Sequence, residues 1–227
     1  MIILEKKRSE NARTYAIRVL LYNIVHLELP PGSAVSGNEL SAILSISRTP
    51  VREALIELNR IGLVEILPQR GSYISKIDYN LVEESRFLRL VTENAVLKIL
   101  CEKIENDDFD ELEYNIKKQQ RSLDKKDSET FLELDNEFHE LLFRAANKLW
   151  CYHIIKEQMV HFDRLRFLSA KSGQHDYVVR DHEDILYAIK RNDYEMAEML
   201  MTRHLTRHLG EKKELMKLYP EFFVNNE

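Results

Sequence analysis

The sequence predicts a mainly α-helical protein made of an N-terminal winged helix-turn-helix domain and a C-terminal, antiparallel six-helix bundle. Its 227 residues are enough for two modest domains. Two short helical patterns joined by a tight turn, followed by two short strand patterns, occupy the front of the chain. The six glycines and five prolines lie largely in this front part, so the remainder is expected to be nearly all helix.

The charge is unevenly divided along the chain. The formal net charge is −5, which argues against a protein that coats nucleic acid indiscriminately. Residues 1–77 contain 10 Lys and Arg against 7 Asp and Glu, a charge of +3, whereas the remainder contains 23 against 31, a charge of −8. The sequence therefore joins a mildly basic front part to an acidic back part.

Cysteine usage and hydropathy indicate the compartment. Cys101 and Cys151 lie far apart without CxxC spacing, so neither a disulfide framework nor a zinc ribbon is predicted. The short apolar run at residues 1–4 is followed at once by charges, unlike a signal peptide. No stretch approaches the roughly 20 apolar residues that a membrane-spanning helix needs. We expect a cytoplasmic protein without a membrane partner.

Residues 48–61 predict a helix with two different faces. At 100° per residue, the apolar residues gather on one side: Val51, Ala54, Leu55, Leu58 and Ile61. Arg48, Thr49 and Arg52 gather on the other side, and Ser47 or Thr49 can cap the start of the helix. Two guanidinium groups four residues apart, with no Asp or Glu between them, suit phosphate oxygens and guanine edges.

The neighbouring segments complete a winged helix-turn-helix. Four of them have clear patterns: helices at 14–27 and 38–44, and strands at 63–67 and 72–75. Two short helices joined by a tight turn can place the second helix in the major groove. Arg70 and Gly71 lie at the tip of the predicted hairpin, where they can approach the DNA backbone or the minor groove. We therefore predict a DNA-binding domain at residues 1–77.

The rest of the chain, residues 78–227, predicts a helical bundle. Six helices are expected, at residues 79–105, 107–125, 128–147, 149–171, 175–191 and 193–218. The breaks between them are short and polar, as at Ser172–Gly173, and short connections favour antiparallel neighbours.

One carboxylate and three histidines predict a metal site in this bundle. Asp135 and His139 are four residues apart and share a helix face. His182 and His204 lie on the last two predicted helices, and the hinge at residues 191–193 can bring their imidazoles together. Zinc, nickel, manganese or iron would all suit these ligands.

Other readings of the histidines remain open. His153, His161 or His208 can replace one of the three, and an inward histidine is more often a hydrogen-bonded core residue than a ligand. In that case the protein is a metal-free, dimeric interaction module. Finding no metal in the protein after purification without chelators would favour this alternative.

Enzyme signatures are absent, so we expect no catalytic activity. Neither the Glu-x-x-His pattern of di-iron bundles nor HExxH occurs, and Gly-rich phosphate loops and GxSxG elbows are missing. The alternative is a metal-dependent hydrolase or lyase with an appended winged domain. Its acid or base would be Glu140 or Glu183, which directly follow ligands and should point away from the metal.

Both halves of the sequence resemble one known family. Residues 47–55, with Asn59–Val64 and the wing at 68–71, closely resemble the DNA-binding domain of GntR-family transcription regulators. The back half resembles the all-helical ligand-binding domain, called FCD, of the FadR branch of this family. Its motif is an Asp-xxx-His on one helix and two later histidines, which here are Asp135, His139, His182 and His204. Six bundle helices resemble the VanR-type subgroup.

The resemblance implies a function and further site residues. It implies a homodimer that binds double-stranded DNA at a palindromic operator and holds a small organic or sugar acid against a bound metal, most often zinc. It therefore implies a metabolite-responsive regulator, expected to be a repressor. The DNA contacts then predicted are Ser47, Arg48, Thr49, Arg52, Arg70 and Gly71. Arg86 resembles an arginine that reaches the effector pocket in relatives, and Arg164 and Arg166 are further candidates of this kind.

Overall fold

The computed structural model describes residues 1–171 and 176–224, so the predicted break at Ser172–Gly173 lies outside the described residues. The chain forms two compact units. The winged unit consists of Met1–Val82, Val160–Leu168 and the chain from Glu214 onward, and the bundle unit consists of Glu83–Met159 and Ser169–Lys213. The predicted functional division between residues 77 and 78 stays a prediction.

The winged unit contains the predicted helix-turn-helix and hairpin. Its elements are α1 (Ala12–Val25), β1 (Ala34–Val35), α2 (Gly37–Leu44), α3 (Arg48–Arg60), β2 (Val64–Leu67) and β3 (Gly71–Ile74). The three strands form an antiparallel sheet in the order β1-β3-β2. Strand β1 was not predicted, because two residues are too few to show an alternation of apolar and polar side chains.

The turn between α2 and α3 depends on a left-handed residue. Ser36 caps α2 by accepting a hydrogen bond from the Glu39 amide, and Ser45 ends this helix at φ +54°. Ser47 occupies the N-cap position of α3, although its side chain makes no capping hydrogen bond. The apolar face of α3 is buried, with Val51, Ala54 and Leu58 fully inaccessible. The opposite face of the helix remains exposed.

The hairpin tip requires glycine for its backbone. Strands β2 and β3 pair in register from Val64 with Ile74 to Leu67 with Gly71. Gly71 has φ +102°, which L side chains rarely adopt, and Gln69 before it is at φ +60°. Both Arg70 and Gly71 are exposed.

Helices fill the remainder of the described chain. They are α4 (Tyr79–Glu102), α5 (Asn106–Asp124), α6 (Ser128–Ala145), α7 (Leu149–Gln158), α8 (Val160–Lys171), α9 (Asp176–Lys190), α10 (Tyr194–Thr206) and α11 (His208–Leu218). Helix α5 packs on α6 and α9, and α9 packs on α10. Buried aromatic and aliphatic side chains such as Phe131, Phe138 and Ile185 form the interior.

Two of the six predicted bundle helices are interrupted. The predicted helix at 149–171 is divided at Met159, and the one at 193–218 is divided at Arg207. Both residues keep right-handed helical backbone angles, so the apolar periodicity continues across each interruption. The sequence pattern therefore gives no sign of either division. The predicted mainly α-helical fold with an N-terminal helix-turn-helix region and a helical C-terminal domain is confirmed.

Residues 222–224 pair with the segment that follows the wing. The Ile77 amide donates to the Phe222 carbonyl at 2.8 Å, and the Val224 amide donates to the Ile77 carbonyl at 3.1 Å. The Phe223 ring stacks on Tyr79 with centroids 5.4 Å apart. Among the described residues, no helix combines the length and hydropathy needed to cross a membrane.

The buried face of α3 gives a stability prediction. Replacement of the fully buried Leu58 by Ala should lower the free energy of unfolding by about 2–5 kcal/mol, because it removes apolar burial and leaves a cavity. Urea unfolding monitored by circular dichroism measures the change. The control is Ile56→Ala on the same helix, where the side chain is 51% exposed and a change below about 0.5 kcal/mol is expected. Equal effects of the two substitutions would contradict the assigned face.

Candidate metal centre and nucleic-acid interface

The structure exposes all six predicted DNA contacts. Ser47, Arg48, Thr49 and Arg52 lie on the exposed start of α3, and Arg70 and Gly71 lie at the wing tip. Within the described chain, neither Arg48 nor Arg52 has a carboxylate within 4.0 Å, whereas Arg13 and Arg60 both pair with Glu57. The two guanidinium groups are therefore available to an external acceptor. Their contact with DNA stays a prediction.

The four predicted metal ligands meet in the bundle unit. Helix α6 supplies Asp135 and His139, α9 supplies His182, and α10 supplies His204. One potential ligand atom from each lies within 4.8 Å of all the others. His182 Nε2 is 3.6 Å from Asp135 Oδ1, and His204 Nε2 is 3.3 Å from His139 Nε2. The Asp-xxx-His spacing and the hinge before α10 bring these side chains together as expected.

The donor set fits a divalent cation. A tetrahedral ion with ligand bonds of about 2.0–2.1 Å holds its ligand atoms about 3.3 Å apart, close to the shorter separations found here. Asp135, His139 and His182 are buried, and the His204 side chain is only 7% exposed. Among the described residues, buried His182 Nε2 has no hydrogen-bond partner. Because buried nitrogen atoms are normally paired, an unpartnered nitrogen at this position fits a role as a metal ligand.

Each imidazole also contacts a polar side chain with its other nitrogen. His139 Nδ1 lies 2.7 Å from Glu93 Oε2, and His182 Nδ1 lies 2.8 Å from Gln119 Oε1. His204 Nδ1 lies 3.6 Å from Asp181 Oδ2, beyond hydrogen-bond distance. Contacts of this kind select the tautomer and orientation of a metal-binding histidine. The Nε2 atoms of His139 and His182 are thereby left to face the cluster.

Glu93, Gln119 and Asp181 are in turn held by further polar side chains. Glu93 Oε1 accepts from the buried Arg89 Nε at 2.6 Å. Gln119 Nε2 donates to Asn115 Oδ1 at 2.7 Å, which orients its carbonyl oxygen toward His182. Two arginines hold Asp181, with Arg203 Nη2 at 2.6 Å from Oδ1 and Arg207 Nε at 2.6 Å from Oδ2.

Burial sets the protonation of the cluster. It lowers the pKa of His139 to about 4 and holds the pKa of His182 well below its usual range, so both imidazoles are neutral at pH 7. Burial alone would raise the pKa of Glu93, but the neighbouring His139 and Arg89 outweigh it and lower that pKa to about 2. Burial likewise opposes ionisation of Asp181, and His204, Arg207 and Arg203 hold its pKa well below the usual range. Neutral imidazoles are the form that binds metals.

The sequence analysis did not identify the polar residues that contact the three imidazoles. Glu93, Gln119 and Asp181 were not predicted, because their histidine partners lie far away in sequence or on another helix. A signal was present nevertheless. Asn115 and Gln119 are polar residues on the buried face of α5, beside Leu112 and Ile116, and Arg89 and Glu93 are an i, i+4 pair on a buried face of α4. Polar residues at inward positions of a helix indicate a buried network.

The predicted effector arginines have different surroundings. Arg86 Nε pairs with Glu83 on its own helix at 2.9 Å. Arg164 is fully buried in the winged unit, where its Nη2 donates to the Ser75 carbonyl at 2.6 Å. Arg166 pairs with Asp163 at 2.7 Å. Arg89, three residues after Arg86, is the arginine of α4 that adjoins the cluster through Glu93. The effector contacts of Arg86 and Arg164 stay predictions.

The alternative ligands are not brought into the cluster where the structure describes them. His161 belongs to the winged unit and its Nε2 donates to the Ile61 carbonyl at 2.9 Å. His153 is exposed, and the His208 side chain lies outside the described part of the structure. Of the acid and base candidates, Glu183 is exposed and Glu140 is half-buried.

Comparison with known proteins matches both halves of the chain. The FCD domain family matches residues 84–207, and the family described as bacterial regulatory proteins, gntR family, matches residues 16–74. The chain is 35% identical over 189 residues to the HTH-type transcriptional repressor RspR of Escherichia coli K12, covering 83% of each protein. It is 34% identical over 204 residues to an HTH-type transcriptional regulator of Streptomyces ambofaciens, covering 89% of this chain and 86% of that one.

A solved structure has the same fold. The structure titled E. coli McbR/YncC superposes with a TM-score of 0.75 at 18% identity, covering 92% of this chain and 99% of that one. The matched domains and relatives are transcriptional regulators. Family, domain order and fold agree, and the chain is therefore a transcriptional regulator of the GntR family with an FCD domain.

Proposed function

We propose that this regulator is a homodimeric repressor whose affinity for a palindromic operator is controlled by a small carboxylate metabolite bound at a metal centre in the bundle unit. The convergence of Asp135, His139, His182 and His204 within 4.8 Å carries the proposal. The name of RspR, a transcriptional repressor, supports repression as the direction of control. The expected compartment is the cytoplasm.

The exposed start of α3 supports direct reading of base pairs. Arginine binds guanine O6 and N7 through two parallel hydrogen bonds, and this needs a guanidinium group that is not already paired. Arg48 and Arg52 meet that condition, and Thr49 between them adds a hydroxyl. Arg70 and Gly71 then contact the adjoining backbone or minor groove. In a dimer, two such helices enter successive major grooves about 34 Å apart.

The buried cluster supports a resident divalent metal. Asp135 and the three imidazoles would hold it, and zinc suits one carboxylate and three nitrogen ligands, with nickel, manganese or iron as alternatives. When bound, the ion supplies positive charge that attracts the carboxylate of an organic or sugar acid. Glu93, Gln119 and Asp181 keep the imidazoles oriented. Arg89 lies behind Glu93 and is a stronger candidate than Arg86 for a charge contact near this site.

An exposed apolar face supports the homodimer. Phe87 and Val91 are four residues apart on α4 and are 63% and 51% exposed. Trp150 and Ile154 have the same spacing on α7 and are 75% and 46% exposed. The Ser85 hydroxyl donates to the Gln158 carbonyl at 2.8 Å, which places the start of α4 beside the end of α7. Large apolar patches on one face are typical of an interface.

Control of DNA binding requires an effector that binds one bundle arrangement better than another. Only this difference can shift the affinity for the operator, and the expected coupling is about 1–3 kcal/mol. Helices α4, α8 and α11 each contribute residues to both compact units. The covalent connections between the two units therefore run through these three helices.

Arg52→Ala tests the recognition helix. It should weaken operator binding by about 1–3 kcal/mol and blur the sequence preference, because the guanidinium contact to one base is lost. Fluorescence anisotropy on a DNA site selected by the wild-type protein from a random duplex library measures both effects. The control is Arg60→Ala at the far end of α3, which should leave the affinity unchanged. Unchanged operator affinity of the Arg52 variant would reject the assignment.

Metal content tests the centre. His182→Ala should empty the site, and Gln119→Leu should weaken zinc binding about 10- to 100-fold, because His182 loses the partner that orients it. Elemental analysis and competition with a chromophoric chelator measure these effects. The control is Gln120→Leu, one position along α5, where the side chain is exposed. Full metal occupancy in His182→Ala would mean that other ligands hold the ion. A wild-type protein purified metal-free without chelators would favour the interaction module.

Light scattering tests the dimer. Trp150→Asp combined with Phe87→Asp should raise the dimer dissociation constant at least about tenfold, because each burial of a carboxylate in an apolar interface is costly. Tyr187→Asp is the control, since Tyr187 is a 56% exposed aromatic on α9 of the same unit. Dimers that survive the double substitution at micromolar concentration would place the interface elsewhere.

A further inference from the structure

Part of α8 is built into the winged unit, although it follows the wing by 85 or more residues. Val160 belongs to the apolar core formed by α1, α2, α3 and the sheet. The ring of Phe167 lies edge-on to His26 at the end of α1, with centroids 4.7 Å apart. The family match for the DNA-binding domain ends at residue 74, so it does not include this segment.

His161 contacts the end of the recognition helix. Its Nε2 donates to the Ile61 carbonyl at 2.9 Å, at the C-cap of α3. The same ring lies against Gly62, where an added Cβ atom would be 3.4 Å from both Cε1 and Nε2. Gly62 has φ +75°, so the close approach and the backbone conformation both favour glycine. The imidazole therefore holds the point at which α3 ends and the chain turns toward β2.

Arg164 contacts the end of the wing. One helical turn after His161, its Nη2 donates to the Ser75 carbonyl at 2.6 Å, directly after β3. The side chain is fully buried, and among the described residues Nε and Nη1 have no hydrogen-bond partner. Burial lowers the pKa of Arg164 to about 10, so it remains charged at pH 7. A buried charge with a single hydrogen bond costs stability and needs another reason to be present.

The two contacts hold the two parts of the DNA-binding surface relative to each other. The Ser75 amide donates to the Leu63 carbonyl at 3.0 Å, so the ends of α3 and of the wing already adjoin. Donors spaced one turn apart on a rigid helix fix the separation of the Ile61 and Ser75 carbonyls. We propose that His161 and Arg164 are positioning residues for operator recognition, which set the recognition helix and the wing at the spacing that one DNA site requires.

This proposal rests on the DNA-binding part of the proposed function and is independent of the metal and the effector. It assigns Arg164 a role inside the winged unit rather than in an effector pocket. It also separates specificity from general DNA affinity. Neither buried side chain can reach a phosphate, so their loss should alter the fit to one sequence and leave the nonspecific attraction to the backbone in place.

Arg164→Met and His161→Leu test the proposal. We expect the affinity for the DNA site selected by the wild-type protein to fall about 3- to 30-fold, while binding to poly(dI-dC) stays within about twofold. The melting temperature of Arg164→Met should not fall, because an apolar side chain replaces a poorly paired buried charge. Arg164→Lys keeps one donor and should restore part of the specificity. Arg166→Met is the control, since Arg166 is on the same helix and pairs with Asp163.

Amide hydrogen exchange in the free protein provides a second readout that needs no operator. In both variants, the amides of Gly62, Leu63 and Ser75 should exchange at least about threefold faster, because the ends of α3 and β3 are no longer held. Unchanged exchange at these amides, or an unchanged ratio of specific to nonspecific affinity, would overturn the proposal. Failure of the wild-type protein to select any DNA site would instead refute the proposed function, and hydrogen exchange would still decide whether α8 positions these ends.

Discussion

The pairing of polar groups inside the bundle is the constraint on which the rest of this structure depends. Asp135, His139 and His182 are buried in the bundle together with other polar side chains, among them Glu93 and Gln119. Burial of unpaired polar atoms would cost several kcal/mol in total, which is comparable to the stability of a domain. Part of this cost is offset because each imidazole has a polar neighbour and each neighbour has a further partner, although among the described residues His182 Nε2 and His204 Nδ1 have no hydrogen-bond partner. These chains of contacts end at Arg89, Asn115 and the pair Arg203 and Arg207, so the bundle is arranged around its polar centre as much as around its apolar core.

The winged unit solves the opposite problem. The arginines at the start of α3 are exposed, and an arginine already bound to a carboxylate cannot also bind an external acceptor without breaking that pair. Glu57 pairs with Arg13 and Arg60, away from the start of α3, and within the described part of the chain neither Arg48 nor Arg52 has a carboxylate within 4.0 Å. The arginines that contact Glu57 are paired, whereas within the described chain the arginines at the start of α3, where DNA contact is expected, have no carboxylate partner. The same distinction separates Arg164, buried on a main-chain carbonyl, from the exposed arginines of α3.

Features that depend on local periodicity and spacing can be predicted from the sequence. The apolar face of α3 follows from residues three and four positions apart, and Asp135 with His139 follows from the same rule. Interactions between distant segments are the part that sequence reasoning could not supply. The pairing of His139 with Glu93 spans 46 residues, and that of His182 with Gln119 spans 63. The interruption at Met159 is invisible because the residue remains helical in its backbone angles. The effector role of Arg86 stays a prediction, and the burial of Arg89 three residues later follows from the packing of α4 and not from its sequence pattern.

The winged unit contains segments that are distant from one another in the sequence. The winged unit is completed by α8 and by the segment from Glu214 onward, both of which follow ligand-bearing helices in sequence: α6 carries Asp135 and His139, and α10 carries His204. Here the backbone leaves the winged unit and returns to it twice, and the returning segments hold the Ile61, Ser75 and Ile77 main chain. The main chain at the ends of α3 and β3 is therefore held by side chains 100 and 89 positions later in the sequence, and no local pattern around residues 48–75 indicates these contacts.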